Sequence, residues 1–352
     1  MTNSSATANT ILGWDVGGAH LKAALVDSEG VAIQVIQVAC PLWRGLEKLE
    51  AALDHILSHL KQRPLSHSIT MTGELADIFP NRHAGVVSIA ECMQEHLSGN
   101  VCFYAGPQGF VDFEGVKAST HFIASSNWHA SASYMATEVE EGIFIDIGST
   151  TADIVLLCNN GPQHRGFTDA ERMQYEELVY TGVIRTPLMA LTSQIPFAGE
   201  WRKLAAEHFA TTADVYRLTG DLNEAEDMVE TADGTGKTQH ESARRLARMT
   251  GQDVADANME AWVRLAQAYK QRQIDTLKSA VLRSLSRNLL SIRAPIIGAG
   301  AGSFLARELA RQLDRPYFES RGLIKGESSD EQRWATVCLP AYAVAVLGLI
   351  DR

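Results

Sequence analysis

Three short stretches place acids, hydroxyls and glycines in an order suited to holding phosphate: Asp15-x-Gly17-Gly18, Asp146-x-Gly148-Ser149-Thr150-Thr151 and Gly298-x-Gly300-x-Gly302. Glycine lets backbone amides approach an anion closely, and hydroxyls donate to phosphoryl oxygens. An acid closing an apolar run is a charge at the edge of a core, and such a charge usually has a partner, often a metal ion. Taken alone, an Asp-x-Gly turn is as readily structural, since both residues are favoured in turns. A second copy changes the weighing. Asp15, Gly17, Leu25 and Gly30 fall opposite Asp146, Gly148, Leu156 and Gly161 at one constant offset, so both segments read as strand, tight turn, strand, turn.

The elements that deliver these turns follow from the apolar pattern. Residues 11–15 and 143–147 predict buried strands, with 21–26 returning, a hairpin turn at 27–30 and a third strand at 31–38. Leu46, Leu49, Leu53, Ile56, Leu57 and Leu60 keep helical spacing and predict a helix over 46–60. Strands at 68–71 and 101–104 and helices over 84–97 and 127–135 complete the first half. After the second copy comes a helical, acidic stretch at 199–256, in which the six acids of 221–233 read as a solvated loop or as something functional. A long helical pattern, with room for one break, spans 259–290, and a strand at 295–297 leads through the third glycine turn into a helix over 303–313. A helix N-terminus there attracts anions. A strand at 316–318 and a last helix opened by Pro340 follow. The alternation is that of an α/β protein.

A length of 352 residues favours two domains. Hydrophobic residues at 45% and charged residues at 21% describe a globular chain. A formal charge of -11 argues against nucleic-acid or anionic-membrane partners, while leaving room for a local basic pocket. Cys40, Cys92, Cys102, Cys158 and Cys338 lack paired metal spacing and read as core residues in a reducing compartment. The polar start at 1–10 carries no signal pattern, and the apolar tail at 337–350 is short and Ala/Gly-rich for a span, so a cytoplasmic enzyme is expected.

The order of the three turns resembles the two phosphate motifs and the nucleotide loop of the actin, Hsp70 and sugar-kinase superfamily. Lys22, seven residues after Asp15, resembles the phosphate-contacting lysine of actin. The resemblance covers the whole chain and implies two ribonuclease-H-like lobes, the actin-like ATPase or sugar-kinase fold, with a cleft between them. The lobes fall at 1–135 and 136–352, the second with a mainly helical insertion at about 187–258. A closer likeness is to the hydantoinase and oxoprolinase branch, carried by the phrases at 13–19, 70–75, 177–187, 209–216 and 231–234. Within it they look like the subfamily linked to tetrahydromethanopterin-dependent one-carbon metabolism, whose archaeal members act in methanofuran biosynthesis.

That resemblance implies a transferase acting on small molecules. An aminomethyl-furanmethanol diphosphate loses pyrophosphate, and the phenol oxygen of γ-glutamyltyramine takes its place as an aryl ether; a glutamyl-tyrosine acceptor would serve a methylofuran pathway. A site for the β and γ phosphates of ATP suits a diphosphate leaving group. The competing readings are an ATP-dependent kinase or hydantoinase-type enzyme using the same cleft, and an actin-like nucleotide-binding scaffold. A nicotinamide dehydrogenase fits poorly, because Ser303 stands where the third glycine would and two phosphate turns go unexplained.

The resemblance also implies roles, each set against a plainer one. Asp15 and Asp146 hold Mg²⁺, the one cofactor expected, or are turn acids. Lys22 meets a phosphate oxygen, or is an exposed strand lysine. Gly17, Gly18, Gly148, Ser149, Thr150 and Thr151 cradle the diphosphate, and Gly298, Gly300 and Gly302 close over a nucleotide or over the furan diphosphate. Thr72 and Glu74 fall between the phosphate motifs, where Glu74 is either the base for the phenol proton or a helix-start acid. Arg185 holds the glutamyl carboxylates or makes an internal salt bridge. Asn127 and Trp128 line the acceptor pocket, with Trp128 more often a core residue. Asp214 and Asp233 bind metal or the aminomethyl group, or are solvated loop acids, and Asp153 is either functional or paired with a neighbour.

Overall fold

The computed structural model describes residues 10–351; the signal-free start expected at 1–10 lies, but for Thr10, outside them. The chain forms two compact units, Met1–Glu140 with Asn159–Pro162 and Ser320–Arg352, and Glu141–Cys158 with Gln163–Glu319. The first is built on β1 (Ile11–Val16), β2 (His20–Val26), β3 (Ala32–Ala39), β4 (Ser66–Met71), β5 (Asn100–Tyr104) and β6 (Phe110–Val111), in sheet order β3-β2-β1-β4-β5-β6. β1 runs antiparallel to β2 and parallel to β4. Every residue of β1 is buried, which suits a central strand covered on both faces.

The second unit repeats the plan. β7 (Gly142–Ile147) is central, antiparallel to β8 (Ala152–Cys158) and parallel to the strand Ile296–Ala299, with Leu178–Val179 and Tyr317–Glu319 at the sheet edges. In each unit the central strand thus has a hairpin partner on one side and a parallel strand on the other. The protein is α/β with two ribonuclease-H-like lobes.

Most expected elements are present: helices Glu47–Ser58, Arg82–His96, Asn127–Glu138 and Ser303–Gln312. The pattern over 259–290 forms a single helix, Met259–Leu285, capped at its start by Asn258. The acidic insertion holds helices Thr212–Thr219 and Gln239–Met249, but is preceded by a hairpin, Gln194–Phe197 with Glu200–Lys203. That hairpin carries weak sequence signals. Its second strand is exposed at every position, and its turn uses Ala198 and Gly199, both at positive φ, in place of the usual Asn-Gly.

The sequence reading placed 136–352 in one lobe, whereas the segment Ser320–Arg352 belongs to the first unit. Its last helix, Leu339–Ile350, is buried along most of its length and packs against β1, β2, β4 and the helix Asn127–Glu138. Among the described residues no single helix is long and apolar enough to cross a membrane. Gly13 makes the approach of this helix possible, because a Cβ there would lie 2.0 Å from the Ala341 carbonyl oxygen and 2.8 Å from the Ala345 amide nitrogen. Backbone atoms cannot swing aside as a side chain would. Gly13→Ala is therefore expected to destabilise the first unit by about 1–3 kcal/mol, read as a lower urea midpoint; an unchanged midpoint would contradict the packing described.

Candidate active site

β1 ends at Asp15 and Val16, and the turn into β2 is closed by the Gly17 amide donating to the His20 carbonyl at 3.0 Å. The hairpin register sets Lys22 directly opposite Asp15, with its Nζ 3.2 Å from Asp15 Oδ2. Asp15 is only 2% exposed, and its Oδ1 has no hydrogen-bond partner among the described residues. The Thr72 and Gly73 amides both donate to the Val16 carbonyl at 2.9 Å, which brings Thr72 beside Gly17, its Oγ1 3.7 Å from a Cβ built there. A Cβ on Gly18 would meet nothing within 4 Å, so the outer face of this turn is open.

The second turn repeats the first. The Gly148 amide donates to the Thr151 carbonyl at 2.9 Å, the same bond at the same offset. This closure uses the Gly148 amide and not those of Ser149 and Thr150. The charges differ, however. Opposite Asp146 stands Asp153, where the first turn has Lys22, and Asp153 pairs with the buried Arg172 at 2.9 Å. Asp153 is thus an internally paired acid, and the cation of this turn comes from elsewhere. Exposed Arg185 supplies it, with Nη1 3.4 Å from Thr150 Oγ1. The sequence reading gave Arg185 to substrate carboxylates or to a salt bridge; the structure sets it over the hydroxyl turn.

Two further segments press on this turn. The Val183 amide donates to the Gly148 carbonyl at 3.0 Å, and those of Ile184 and Arg185 donate to the Ser149 carbonyl at 3.1 and 2.8 Å. From the other side comes the third glycine turn. Gly300 has φ +75° and a Cβ there would lie 2.4 Å from Asp146 Oδ1. The Gly302 amide donates to the Ile147 carbonyl at 2.8 Å. Gly298 is different in kind: it lies in the strand, where a Cβ would strike the Tyr317 hydroxyl at 2.5 Å. The helix Ser303–Gln312 then begins without a side-chain cap, its Ser303 amide donating to the Gly300 carbonyl at 3.2 Å and its Leu305 amide to the Gly302 carbonyl at 2.9 Å.

Among the described residues no group of three His, Cys, Asp or Glu side chains could hold a metal ion. Mg²⁺ ordinarily takes one or two protein carboxylates and completes its shell with water and substrate phosphate. The buried, half-satisfied Asp15 carboxylate fits that pattern in the first unit.

Other expected residues are held by partners of their own. Glu74 is fully buried, accepting from Ser125 Oγ at 2.7 Å with Arg82 Nε at 3.7 Å. It braces the approach to the helix Arg82–His96 and is poorly placed as a solvent-facing base. Asn127 opens its helix, its Oδ1 accepting the Trp128 amide at 2.7 Å, and Trp128 is a core residue. Asp214 and Asp233 are neither metal ligands nor solvated acids. Buried Arg245 bridges them, with Nε 2.8 Å from Asp214 and Nη1 3.0 Å from Asp233. Arg217 joins Asp214 at 2.8 Å and Asp227 through Nε at 2.9 Å, so part of the acidic 221–233 segment faces inward.

The residues that sequence reasoning passed over are Arg172 and Gln273, while Gly182 entered only as part of the phrase at 177–187. Gln273 carried a signal, since it is polar on the buried stripe of the helix Met259–Leu285. Burial would raise the Asp233 carboxyl, but the Thr235 hydrogen bonds and then the Arg245 charge outweigh it and hold Asp233 well below the ordinary carboxylate range. A carboxyl depressed in the folded state stabilises above its unfolded value of about 4 and loses that contribution as pH falls below it. Between pH 6 and pH 2.5, Asp233→Asn should flatten the fall in urea stability; an equally steep fall in the variant would show that the cluster is not what acid breaks.

Residues 66–319 match the hydantoinase/oxoprolinase family. A protein from Methanocaldococcus jannaschii named (4-{4-[2-(γ-L-glutamylamino)ethyl]phenoxymethyl}furan-2-yl)methanamine synthase is 30% identical over 240 residues, 68% of this chain and 71% of that protein. A protein of the same name from Methanococcus vannielii is 25% identical over 217 residues, 61% of this chain and 95% of that protein. Among solved structures, a ROK family glucokinase from Streptomyces griseus aligns at 15% identity over 96% of this chain and 98% of that one, with a TM-score of 0.48. The chain belongs to the hydantoinase/oxoprolinase family.

Proposed function

We propose that this enzyme forms the aryl–O–CH2–furan ether that the name of its two relatives describes, within methanofuran or methylofuran biosynthesis. Its substrates are an aminomethyl-furanmethanol diphosphate and a phenol carrying a γ-glutamyl group. The bond from the furanylmethyl carbon to the diphosphate oxygen breaks, its electron pair leaving with pyrophosphate. A phenol oxygen lone pair forms the new carbon–oxygen bond, and the phenol proton passes to solvent or a base. The furan ring donates electrons to the carbon, so departure of the anion is the step the protein must assist.

The observation that carries this reading is the turn at 148–151, with its hydroxyls and Arg185 at 3.4 Å from Thr150. Hydroxyls and a guanidinium bind a departing diphosphate through charge-assisted hydrogen bonds. Ser149, Thr150 and Thr151 donate to its oxygens, and Arg185 meets its growing charge. In the first unit Lys22 plays the cationic part and the open Gly18 face admits the anion. Asp15 in the first unit and Asp146 in the second are each a carboxylate that would hold Mg²⁺, whose charge would neutralise a diphosphate when bound. Thr72, beside Gly17, and Asn127 are assigned to substrate contact.

Incubation of the protein with the furan diphosphate, Mg²⁺ and each phenolic acceptor should give the ether by mass and release one pyrophosphate per ether. Asp146→Asn and Arg185→Ala should each lower pyrophosphate release by about ten-fold or more, the loss expected for one charge-assisted contact in the transition state, with circular dichroism unchanged. Near-normal release by Asp146→Asn would sink the metal assignment. ATP consumption with no ether formed would favour the phosphoryl-transfer reading instead.

A further inference from the structure

The helix Met259–Leu285 buries a stripe that includes Trp262, Tyr269, Ile274 and Leu277, and Gln273 lies within it. An apolar residue would fill that position at no cost in desolvation. Gln273 instead is completely buried with every polar group of its amide engaged. Its Oε1 accepts from the Tyr216 hydroxyl, and its Nε2 donates to Thr181 Oγ1 at 2.9 Å and to the Gly182 carbonyl at 2.9 Å. The Tyr216 phenol is held well above its ordinary value by burial and then by Asp221, so it stays a neutral donor.

All of this converges on one residue, Gly182. The Gly182 carbonyl also accepts from Thr212 Oγ1 at 2.9 Å and from Thr186 Oγ1 at 3.2 Å, and the Gly182 amide donates to Thr186 Oγ1 at 2.8 Å. The Cα of Gly182 in turn lies flat on the phosphate turn. A Cβ there would stand 2.4 Å from Ser149 C and 2.4 Å from Thr150 N. The amides of 183–185 that follow are those that hold the Gly148 and Ser149 carbonyls.

We infer that Gln273 is a positioning residue for the diphosphate: through the Gly182 peptide it fixes the Ser149–Thr150 segment, so the insertion helix sets the geometry of the phosphate turn. This rests on the diphosphate reading above. It also explains why residue 182 is glycine, since any side chain would push the turn away from its hydroxyl-presenting form. Gln273 touches no reacting atom and acts only through the brace.

The test uses the full chain and the near-isosteric Gln273→Met, with Gly182→Ala as a second variant. In the ligand-free proteins, exchange of the 183–185 amides should speed up by about ten-fold or more while the β7 amides stay protected, the mark of a local opening. In turnover, KM for the furan diphosphate and the inhibition constant of inorganic pyrophosphate should rise by about ten-fold, with KM for the phenolic acceptor unchanged. Wild-type exchange at 183–185 together with wild-type pyrophosphate inhibition, alongside only a lower melting temperature, would overturn the inference. If the wild-type protein makes no ether, the functional reading fails by itself and the amide exchange still decides the positioning role. If Gln273→Met does not fold, Tyr216→Phe, which removes one bond to Gln273, should give a smaller acceleration at the same amides; no acceleration there would equally overturn it.

Discussion

A carboxylate at the end of a completely buried strand is the constraint from which the first unit follows. Asp15 is 2% exposed, with one oxygen beside Lys22 and the other without a hydrogen-bond partner among the described residues. Burying an ionised acid is costly unless its lone pairs are satisfied. A structural acid would be expected to have donors on both oxygens, as Asp214 has in Arg245 and the Thr211 amide. On the proposed reading, the half-satisfied oxygen of Asp15 is the one that would meet Mg²⁺. Glycines after it make sense on the same ground, since Gly18 leaves the approach open.

The second unit uses the same backbone with different chemistry. The closing hydrogen bond of the turn is repeated at 148–151, yet the cross-strand lysine is replaced by an acid, and the positive charge comes from Arg185 on a separate segment. A guanidinium on a braced loop is well suited to an anion whose charge grows as it departs. Gly300 and Gly302 allow the third turn to pack against Asp146 and Ile147; their packing explains the glycines before any ligand is invoked. Position, more than catalysis at a single side chain, is what this arrangement provides.

Much of the fold was legible because its signals are local and repeated. The apolar strands at 11–15 and 143–147, the matched offset, and the strand-to-glycine-turn order together imply two similar lobes. Two features were not legible for physical reasons. The destination of the helix Leu339–Ile350 depends on the small residue Gly13, far away in sequence. The insertion's acids look solvated in sequence because the arginines that pair with them come from the helix Gln239–Met249 and from Arg217. Likewise Glu74 stood in a suggestive phrase, while its burial against Ser125 depends on a loop about fifty residues on, a pairing no local propensity encodes. Arg185 was read as important from its phrase, but only the structure shows what it lies beside.

The central claim is that the phosphate turns serve a leaving group and not a phosphoryl donor. Furan diphosphate labelled with ¹⁸O at the oxygen bridging carbon and phosphorus tests it most directly, with a phenolic acceptor present and products read by mass. Cleavage at carbon puts the whole label in pyrophosphate and leaves the ether with the unlabelled phenol oxygen, as this account predicts. Label retained on the furanylmethyl carbon would mean cleavage at phosphorus, and would contradict it.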